Sequence, residues 1–327
     1  MKSLLTPLHS MLTNLKPKIG SPITITVKPL FRTLQLALSL FSTIDNYPKT
    51  NQIFDLGLAF DPDTELYTPQ AQLTLHFNES FRKLRLSRHF QNELINAEFV
   101  ETADVGFAQS EGKSGLLFFF SATTRFLLKQ IKNSELAILT KISREYCDHV
   151  CQNSFIIPYY TVFTLKINGE NYHFTLMDNA FLGDIKYKYD LKGSTAGRTS
   201  KPNESTMKDN NLDRKFSLGL YRREFGHQLA SDIEKLTKWG LLDYSMLIGV
   251  FAGDRKNYQI PVIQSIQISE TEYISFAIID ILTVYTRRKT LERFFKQFTS
   301  DLKQISAQKP QVYGQRFEER MLRVFAK

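Results

Sequence analysis

The chain has 327 residues, of which 42% are hydrophobic and 23% are charged, and this composition is typical of an ordinary globular protein. No apolar run reaches the roughly 18 residues that a membrane span requires, and Pro7 and His9 interrupt the first residues, which form a poor signal peptide. The formal net charge of +9 favours an anionic partner. The length allows one large domain or two lobes with a sizeable core.

The cysteines and the distribution of charge narrow the class further. Cys147 and Cys151 are the only cysteines, which argues against a disulfide framework and indicates a reducing compartment. Residues 285–327 contain eleven Lys or Arg against four Asp or Glu. Such a basic end indicates nucleic acid, an anionic membrane or a phosphorylated substrate as the partner.

Residues 1–70 show no pattern that we can connect with chemistry. From Leu4 to Leu15, apolar residues recur at helical spacing, which indicates a helix packed on the body of the protein or one lying on a membrane. Residues 23–27 alternate like a strand, and residues 42–70 are typical of loops with short elements. We therefore treat residues 1–70 as an N-terminal extension of unknown role.

A β-hairpin with a glycine loop is predicted next, after a strand at 73–77 and a helical stretch at 81–99. The loop Glu111 to Gly115 leads into apolar residues 116–120, and the turn 121–124 connects them to a second apolar strand that contains Lys129. Burying an unpaired ammonium group is costly. A lysine in an apolar strand therefore indicates a nearby anion.

The helix after this hairpin is expected to begin with Ser134 as its N-cap and to run to about Val150. Glu135 in its first turn either pairs with Lys129 or only complements the helix dipole. Cys147 and Cys151 lie on one face of the helix, but two thiolates supply only half of a structural zinc site. We therefore do not favour a metal site there.

A second hairpin is predicted from strands at 155–167 and 172–177, with Asn168-Gly169 as the turn. Asp178 and Asn179 would then connect to a segment that holds a charge pair, two glycines, a serine and a threonine, Tyr189 to Arg198.

That segment, which we call the signature loop, is suited to binding phosphate. Its glycines let the backbone approach a ligand closely, while Lys192 and the amides of Gly193 and Ser194 can face phosphate oxygens. The alternative is a solvated surface turn.

The second half of the chain alternates between helices and apolar strands. A polar loop at 199–213 precedes a long helix at 220–239, which Gly240 is expected to end. Two apolar strands follow, at 242–249 and 274–282, and contain Asp243 and Asp280 respectively. Helices are then predicted at 290–305 and 315–325.

The order of these parts is the one that phosphoryl transfer requires. A buried aspartate needs a cation, a hydrogen-bond donor or a proton, so each aspartate alone is explained equally well by a structural ion pair. Two of them downstream of a glycine hairpin and a strand lysine indicate more. A lysine and backbone amides can hold nucleotide phosphates, one carboxylate can hold magnesium, and another can orient the attacking hydroxyl.

These motifs resemble the phosphatidylinositol phosphate kinase family from about residue 75 onward. The residues that carry the resemblance, in family order, are Tyr189-Asp190-Leu191-Lys192-Gly193-Ser194-Thr195 with Gly197-Arg198, Lys208-Asp209, Asp243-Tyr244-Ser245-Met246-Leu247, Ile278-Ile279-Asp280-Ile281-Leu282, and Tyr313 with Arg316-Phe317. The chain departs from the family pattern at Phe251, where a histidine is usual, and at Gln315, where a charge is common.

The resemblance implies an α+β, two-lobed kinase-like fold with antiparallel sheets in both lobes and the active site in the cleft. The N-lobe would span residues 71–177, and the C-lobe would span residues 178–327 with the catalytic strands and a basic activation loop.

The resemblance also implies roles in binding ATP. Gly112, Lys113, Ser114 and Gly115 would form the loop over the phosphates. Lys129 would bind the α- and β-phosphates with Glu135 as its helix partner. The connector at 176–179, which includes Met177 and Asp178, would contact the adenine.

For the lipid end, the resemblance implies that Asp243 is the catalytic aspartate facing the inositol hydroxyl and that Asp280 is the Mg²⁺ ligand. Three basic residues would neutralise phosphate at the reacting end: Lys192, Arg198 and Lys208. The basic segment from Lys303 through Lys309 to Arg316 would be the activation loop that meets the lipid headgroup and the membrane.

The implied function is transfer of the ATP γ-phosphate to a phosphatidylinositol monophosphate, giving a bisphosphate, by a cytoplasmic protein peripherally associated with an anionic membrane. One alternative is a weak or inactive relative that only binds phosphoinositide membranes, although the intact Lys129, Asp243 and Asp280 speak against it. A nucleic-acid binder is suggested by charge alone, and no recognition motif supports it. The sequence specifies neither the ring hydroxyl nor the oligomeric state.

Overall fold

The computed structural model describes residues 30, 33–40, 52–56, 60–61, 66–67, 71–91, 93–100, 106–109, 115–181, 185–252, 264–284 and 309–326. The chain forms two compact units. Unit 1 contains Met1–Asp148 and Tyr159–Asn179, and unit 2 contains His149–Pro158 and Ala180–Lys327. None of the described helices combines the length and apolarity needed to cross a bilayer.

The main sheet of unit 1 has seven strands among the described residues, in the order β1-β4-β8-β9-β7-β6-β5, and each neighbouring pair is antiparallel. A separate short pair, β2-β3, is also antiparallel. The strands are β1 Gln52–Leu56, β2 Phe60–Asp61, β3 Leu66–Tyr67, β4 Ala71–His76, β5 Gly106–Gln109, β6 Leu117–Phe120, β7 Phe126–Ile131, β8 Tyr159–Ile167 and β9 Glu170–Asp178.

Two longer helices accompany this sheet, α1 Asn78–Ser87 and α2 Asn133–Val150. A short α-helical turn at Glu93–Ile95 continues as a π-helix at Asn96–Val100. The core combines alternate residues of the strands with buried residues of the helical stretch 33–39.

The predicted hairpins of unit 1 are confirmed in their order and pairing. The β8–β9 turn places Asn168 and Gly169 at φ +50° and +85°, which is the left-handed conformation that a two-residue hairpin requires. The helix expected at 81–99 is instead interrupted, because the chain turns at His89 with φ +50°. Helix α2 begins at Asn133, so Ser134 lies inside it and is not its N-cap.

The expected boundary at residue 70 does not separate an extension from the fold. Strand β1 pairs with β4 along its whole length. In addition, Leu34, Ala37 and Leu38 are completely buried in the core of unit 1. The structure therefore places part of residues 1–70 inside unit 1, because apolar residues there supply core surface.

Unit 2 contains a five-stranded sheet among the described residues, in the order β11-β10-β12-β14-β13. Its pairs are antiparallel except β10–β11, which is parallel. The strands are β10 Ile185–Leu191, β11 Thr206–Lys208, β12 Ser245–Ala252, β13 Gln264–Gln267 and β14 Glu272–Ile279.

Two helices, α3 Arg222–Lys238 and α4 Pro310–Val324, pack together in unit 2. Gly314 lies at the contact, where an added Cβ would come within 2.8 Å of Ile233. Helix α3 ends as predicted at Gly240, which has φ +72°. The amides of Gly240 and Leu241 donate to carbonyls of the last turn at 2.9 Å each, as in a Schellman cap.

Residues 149–158 lie between α2 and β8 in the chain but belong to unit 2. The buried carboxylate of Asp232 on α3 accepts hydrogen bonds from the Ser154 hydroxyl at 2.8 Å and the Phe155 amide at 2.7 Å. It is also 2.7 Å from His149 Nε2. These contacts fix the segment on α3, so neither lobe is a single stretch of sequence, as the limits 71–177 and 178–327 had assumed.

The α+β class with antiparallel sheets is confirmed. A further predicted boundary is wrong: helix α4 begins at Pro310 and not at 315, so residues 310–316, which had been assigned to the activation loop, are helical. Proline suits this first helical position because its missing amide has no partner to lose there. Several predictions lie outside the described residues: the stripe at Leu4 to Leu15, the strand at 23–27, the helix at 290–305, Gly112, Lys113, Ser114 and Lys303.

Candidate active site

The topology of unit 2 brings Lys192, Asp243 and Asp280 to the same end of its sheet. Leu191 at the end of β10 is opposite Met246, and Ser245 at the start of β12 is opposite Ile279. Because these strands are antiparallel, the end of β10, the start of β12 and the end of β14 coincide. Lys192 and Asp280 directly follow their strands, while Asp243 comes two residues before its strand.

Both aspartates have left-handed backbone conformations, with φ +68° at Asp243 and +57° at Asp280. The sequence had placed them within strands, but this conformation takes each one out of the pleat. Few residues other than glycine adopt it, although aspartate does so more readily than most. Asp243 is half-buried and Asp280 is exposed. Uncommon backbone conformations at two neighbouring carboxylates are typical of functional sites.

Lys192 forms an ion pair with Asp243, since its Nζ lies 3.0 Å from Oδ1. The side chains are 19% and 27% exposed, so a ligand can reach both groups. The prediction that the two residues act at one place is therefore supported by direct contact. The pair combines a proton acceptor with a cation that can bind phosphate.

Asp209 holds the signature loop in place, and its side chain is almost completely buried. Its carboxylate accepts hydrogen bonds from the amides of Lys192, at 3.1 Å, and Gly193, at 2.8 Å. The expectation that the Gly193 amide binds phosphate is therefore wrong, because a carboxylate of the protein occupies it. A buried carboxylate needs such donors to offset its loss of water.

Arg198 lies between two carboxylates and is largely buried. Its Nε donates to Asp209 at 2.7 Å, and its guanidinium also contacts the carboxylate and the carbonyl of Asp190. Burial alone would lower the pKa of Arg198, but Asp190 and Asp209 outweigh it and raise the pKa. In this structure, Arg198 stabilises the loop through these contacts, and its predicted binding of phosphate remains a prediction.

Helix α4 forms one wall of the site. Gly193 has φ +68°, and an added Cβ there would lie 3.1 Å from the Phe317 Cα. The Arg316 guanidinium lies over the Tyr313 ring, 4.8 Å from its centroid, and its Nη2 is 3.4 Å from the Lys192 carbonyl. Burial lowers the pKa of Arg316. Arg316 thus lies under the signature loop rather than on a membrane-docking loop, because α4 begins before it.

The other two basic candidates are near the surface. Lys208 pairs with Glu204 at 2.6 Å, and the two side chains are 25% and 26% exposed. Lys309 is exposed directly before Pro310. Their contact with a lipid headgroup remains a prediction.

Unit 1 contains the residues predicted to bind ATP. Gly115, with φ +60°, precedes strand β6. Lys129 lies in β7 and is half-buried, with its Nζ 5.6 Å from the centroid of the Phe118 ring. The Glu135 carboxylate accepts a hydrogen bond of 2.7 Å from the Lys132 amide at the start of α2. That contact is a helix-capping one, and pairing of Glu135 with Lys129 remains a prediction.

The connector residues Met177 and Asp178 end strand β9 and are both buried. The Tyr160 hydroxyl donates a hydrogen bond of 3.0 Å to the Asp178 carboxylate. Burial raises the pKa of Asp178 to about 7, although that hydrogen bond acts in the opposite direction. The side chain points into unit 1, so we expect any contact of this segment with adenine to use the backbone.

Both cysteines are free. Among the described residues, no group of three or more His, Cys, Asp or Glu side chains could hold a metal ion.

Asp209 and Tyr313 were quoted in the sequence motifs, but neither of them was given a role in the site. A signal for Asp209 was available, because aspartate side chains readily accept hydrogen bonds from the backbone amides of polar loops.

Comparison with known proteins is consistent with this geometry. A family model described as Phosphatidylinositol-4-phosphate 5-Kinase matches residues 104–265 and 254–324. The phosphatidylinositol 4-phosphate 5-kinase its3 of Schizosaccharomyces pombe is 33% identical over 217 residues, which cover 61% of this chain and 29% of the relative. Two Arabidopsis thaliana proteins are also similar. Phosphatidylinositol 4-phosphate 5-kinase 1 is 38% identical over 159 residues, covering 44% of this chain and 21% of the relative.

Phosphatidylinositol 4-phosphate 5-kinase 4 of Arabidopsis thaliana is 26% identical over 291 residues, covering 66% of this chain and 37% of the relative. The matched part is therefore between 21% and 37% of the length of these three relatives.

Proposed function

We propose that this chain, which belongs to the phosphatidylinositol-4-phosphate 5-kinase family, transfers the γ-phosphate of ATP to the inositol ring of a phosphatidylinositol monophosphate. The observation that carries the proposal is the contact of Lys192 with Asp243 at the sheet end where Asp280 also lies. The names of the relatives support the 5-hydroxyl of phosphatidylinositol 4-phosphate as the acceptor.

The residues of unit 2 fit the acceptor half of the reaction. The ring hydroxyl attacks the γ-phosphorus, and its proton passes to the Asp243 carboxylate. The bond between the γ-phosphorus and the oxygen that bridges to the β-phosphate breaks, and ADP leaves. Lys192, 3.0 Å from Asp243, orients that carboxylate and supplies positive charge beside the transferred group.

Asp280 fits the role of a magnesium ligand. It is exposed, and its backbone takes it out of the strand beside the catalytic pair. Mg²⁺ prefers oxygen ligands and is usually held by one or two carboxylates together with substrate phosphates, so one exposed carboxylate suffices. When bound, the ion neutralises charge that develops on the phosphates.

Unit 1 contains the groups that we propose bind ATP. Lys129 and the loop at Gly112 to Gly115 are suited to the phosphates, and the connector backbone at 176–179 is suited to the adenine. The lipid stays in its bilayer, so the partner surface would be an anionic membrane that the protein binds peripherally.

Incubation with labelled ATP, magnesium and vesicles tests this function. Each set of vesicles carries one of the three monophosphorylated phosphoinositides, and the products are separated by chromatography. We expect labelled bisphosphate chiefly from the 4-phosphate and none from the Asp280→Asn variant. Equal background labelling by parent and variant on all three lipids would overturn the proposal, and a product from another isomer alone would reject the proposed hydroxyl.

A further inference from the structure

Asp209 uses both carboxylate oxygens inside the protein, although it lies next to the reacting residues. Oδ1 accepts from the amide of Gly193 at 2.8 Å, and Oδ2 accepts from Arg198 Nε at 2.7 Å. The Lys192 amide lies 3.1 Å from each oxygen. At 3% exposure the residue cannot itself reach a substrate. Its effect on chemistry must therefore pass through the groups that it holds.

One of the groups that bind Asp209 belongs to the catalytic pair of Lys192 and Asp243. The amide that Asp209 accepts from belongs to Lys192, whose Nζ contacts Asp243 at 3.0 Å. On the other side of the same backbone, Arg316 lies 3.4 Å from the Lys192 carbonyl. Lys192 is thus held at its amide and its carbonyl, and only its side chain is left to respond to a ligand.

We infer that Asp209 is a positioning residue that fixes the backbone of Lys192 so that its ammonium group meets Asp243 and the transferred phosphate. This inference rests on the proposed kinase function. A small displacement of a reacting group is enough to slow a reaction by about a hundredfold. Loss of Asp209 should therefore lower kcat while the binding of ATP, which is assigned to other residues, is retained.

The test compares Asp209→Asn with Asp148→Asn, a matched change at an exposed aspartate that pairs with Lys83 in unit 1. In Asp209→Asn the amide nitrogen faces donors, so the contacts with the loop are lost in part. We expect kcat on phosphatidylinositol 4-phosphate to fall about 10- to 100-fold in Asp209→Asn, with KM for ATP unchanged. Asp148→Asn should behave like the parent.

A double-mutant cycle then separates positioning from general loss of structure. If Asp209 acts through Lys192, Asp209→Asn should cost little more once Lys192→Met has removed the ammonium group. The same fold-loss in both backgrounds would overturn the inference.

Hydrogen exchange tests the inference without activity. The amides of Lys192 and Gly193 should exchange faster in Asp209→Asn than in the parent or in Asp148→Asn, while those of β12 and α3 keep their protection. Unchanged protection at these two amides would overturn the positioning role. An inactive parent with this exchange pattern would instead reject the proposed function and leave the structural link standing.

Discussion

Asp280 is the residue whose charge the proposed reaction needs most directly. Asp280→Asn keeps the size and the backbone preference of the side chain but removes the charge that would hold magnesium. We expect turnover to fall at least about a hundredfold, with the melting temperature close to that of the parent. Lipid phosphorylation and thermal unfolding measure the two quantities. Near-parent activity at ordinary magnesium would show that Asp280 is not the ligand.

The raised pKa of Asp178 predicts that the free energy of unfolding depends on pH. Burial raises the pKa of its carboxyl group to about 7 in the folded protein, from an ordinary value of 3.8. Well below pH 4 the Asp178 carboxyl group is protonated in both the folded and the unfolded protein, so its burial does not lower the free energy of unfolding. As the pH rises towards 7, the unfolded chain loses this proton first and the free energy of unfolding falls.

Asp178→Asn should remove that fall, because the amide is neutral at every pH and its oxygen can still accept from Tyr160. We expect the variant to gain on the parent between pH 4 and 7, by up to about 4 kcal/mol. Urea unfolding at several pH values measures the gain, with Asp55→Asn as an exposed control. A difference that does not change with pH would contradict the raised pKa.

At the scale of elements, the contact between the signature loop and α4 depends on the absence of a side chain at Gly193. Gly193 and Gly197 have nearly the same conformation, φ +68° and +67°, but a Cβ at Gly197 would meet nothing within 4 Å. Gly197→Ala therefore measures the cost of the backbone conformation alone, about 1–2 kcal/mol.

Gly193→Ala adds a clash with the backbone of Phe317 in α4. We expect it to destabilise unit 2 by at least about 1 kcal/mol more than Gly197→Ala does. Lipid phosphorylation should also fall, because Lys192 moves with the loop. Chemical unfolding of both variants gives the comparison, and equal losses of stability would show that the helix yields to the added methyl group.

Local patterns predicted the elements better than their limits. The Asn168-Gly169 turn and the Gly240 cap of α3 follow from spacing of a few residues, and both are found. The limits depend on tertiary contacts. The chain turns at His89, and α4 starts at Pro310, five residues before the predicted limit.

The residues of the site likewise fall into two groups: those that local sequence patterns identify and those whose contacts only the tertiary structure shows. Lys192, Asp243 and Asp280 could be named from the sequence because apolar strands and glycines surround them. The hydrogen bonds of Asp209 to the signature loop and the place of Arg316 beneath it join residues distant in the chain, which no local period reports. The same is true of β1, whose pairing with β4 brought part of residues 1–70 into unit 1.

At the scale of the whole molecule, the excess of basic residues at 285–327 predicts binding to anionic membranes. Arg316 is best left unchanged in a test, because it supports Lys192. Lys303→Ala with Lys309→Ala should weaken sedimentation with anionic vesicles by about 2 kcal/mol, and binding of both proteins should weaken as salt rises. KM for ATP should not change.

The matched control replaces two exposed lysines of unit 1, Lys83 and Lys166, and so changes the net charge equally. We expect this control to bind vesicles more tightly than the Lys303/Lys309 variant does. Equal binding by both variants across a salt series would show that total charge, and not this segment, determines attachment. In that case the stripe at Leu4 to Leu15 becomes the next segment to replace.

The path of the chain also constrains how genes for such proteins can recombine. The chain passes between its two units after Asp148, after Pro158 and after Asn179. A single crossover near residue 180 would combine residues 149–158 from one parent with α3 from the other. Ser154 and Phe155, which donate hydrogen bonds to Asp232, would then come from one parent, and the Asp232 carboxylate would come from the other. Functional chimaeras should therefore inherit residues 149–158 together with the downstream unit, as a discontinuous graft.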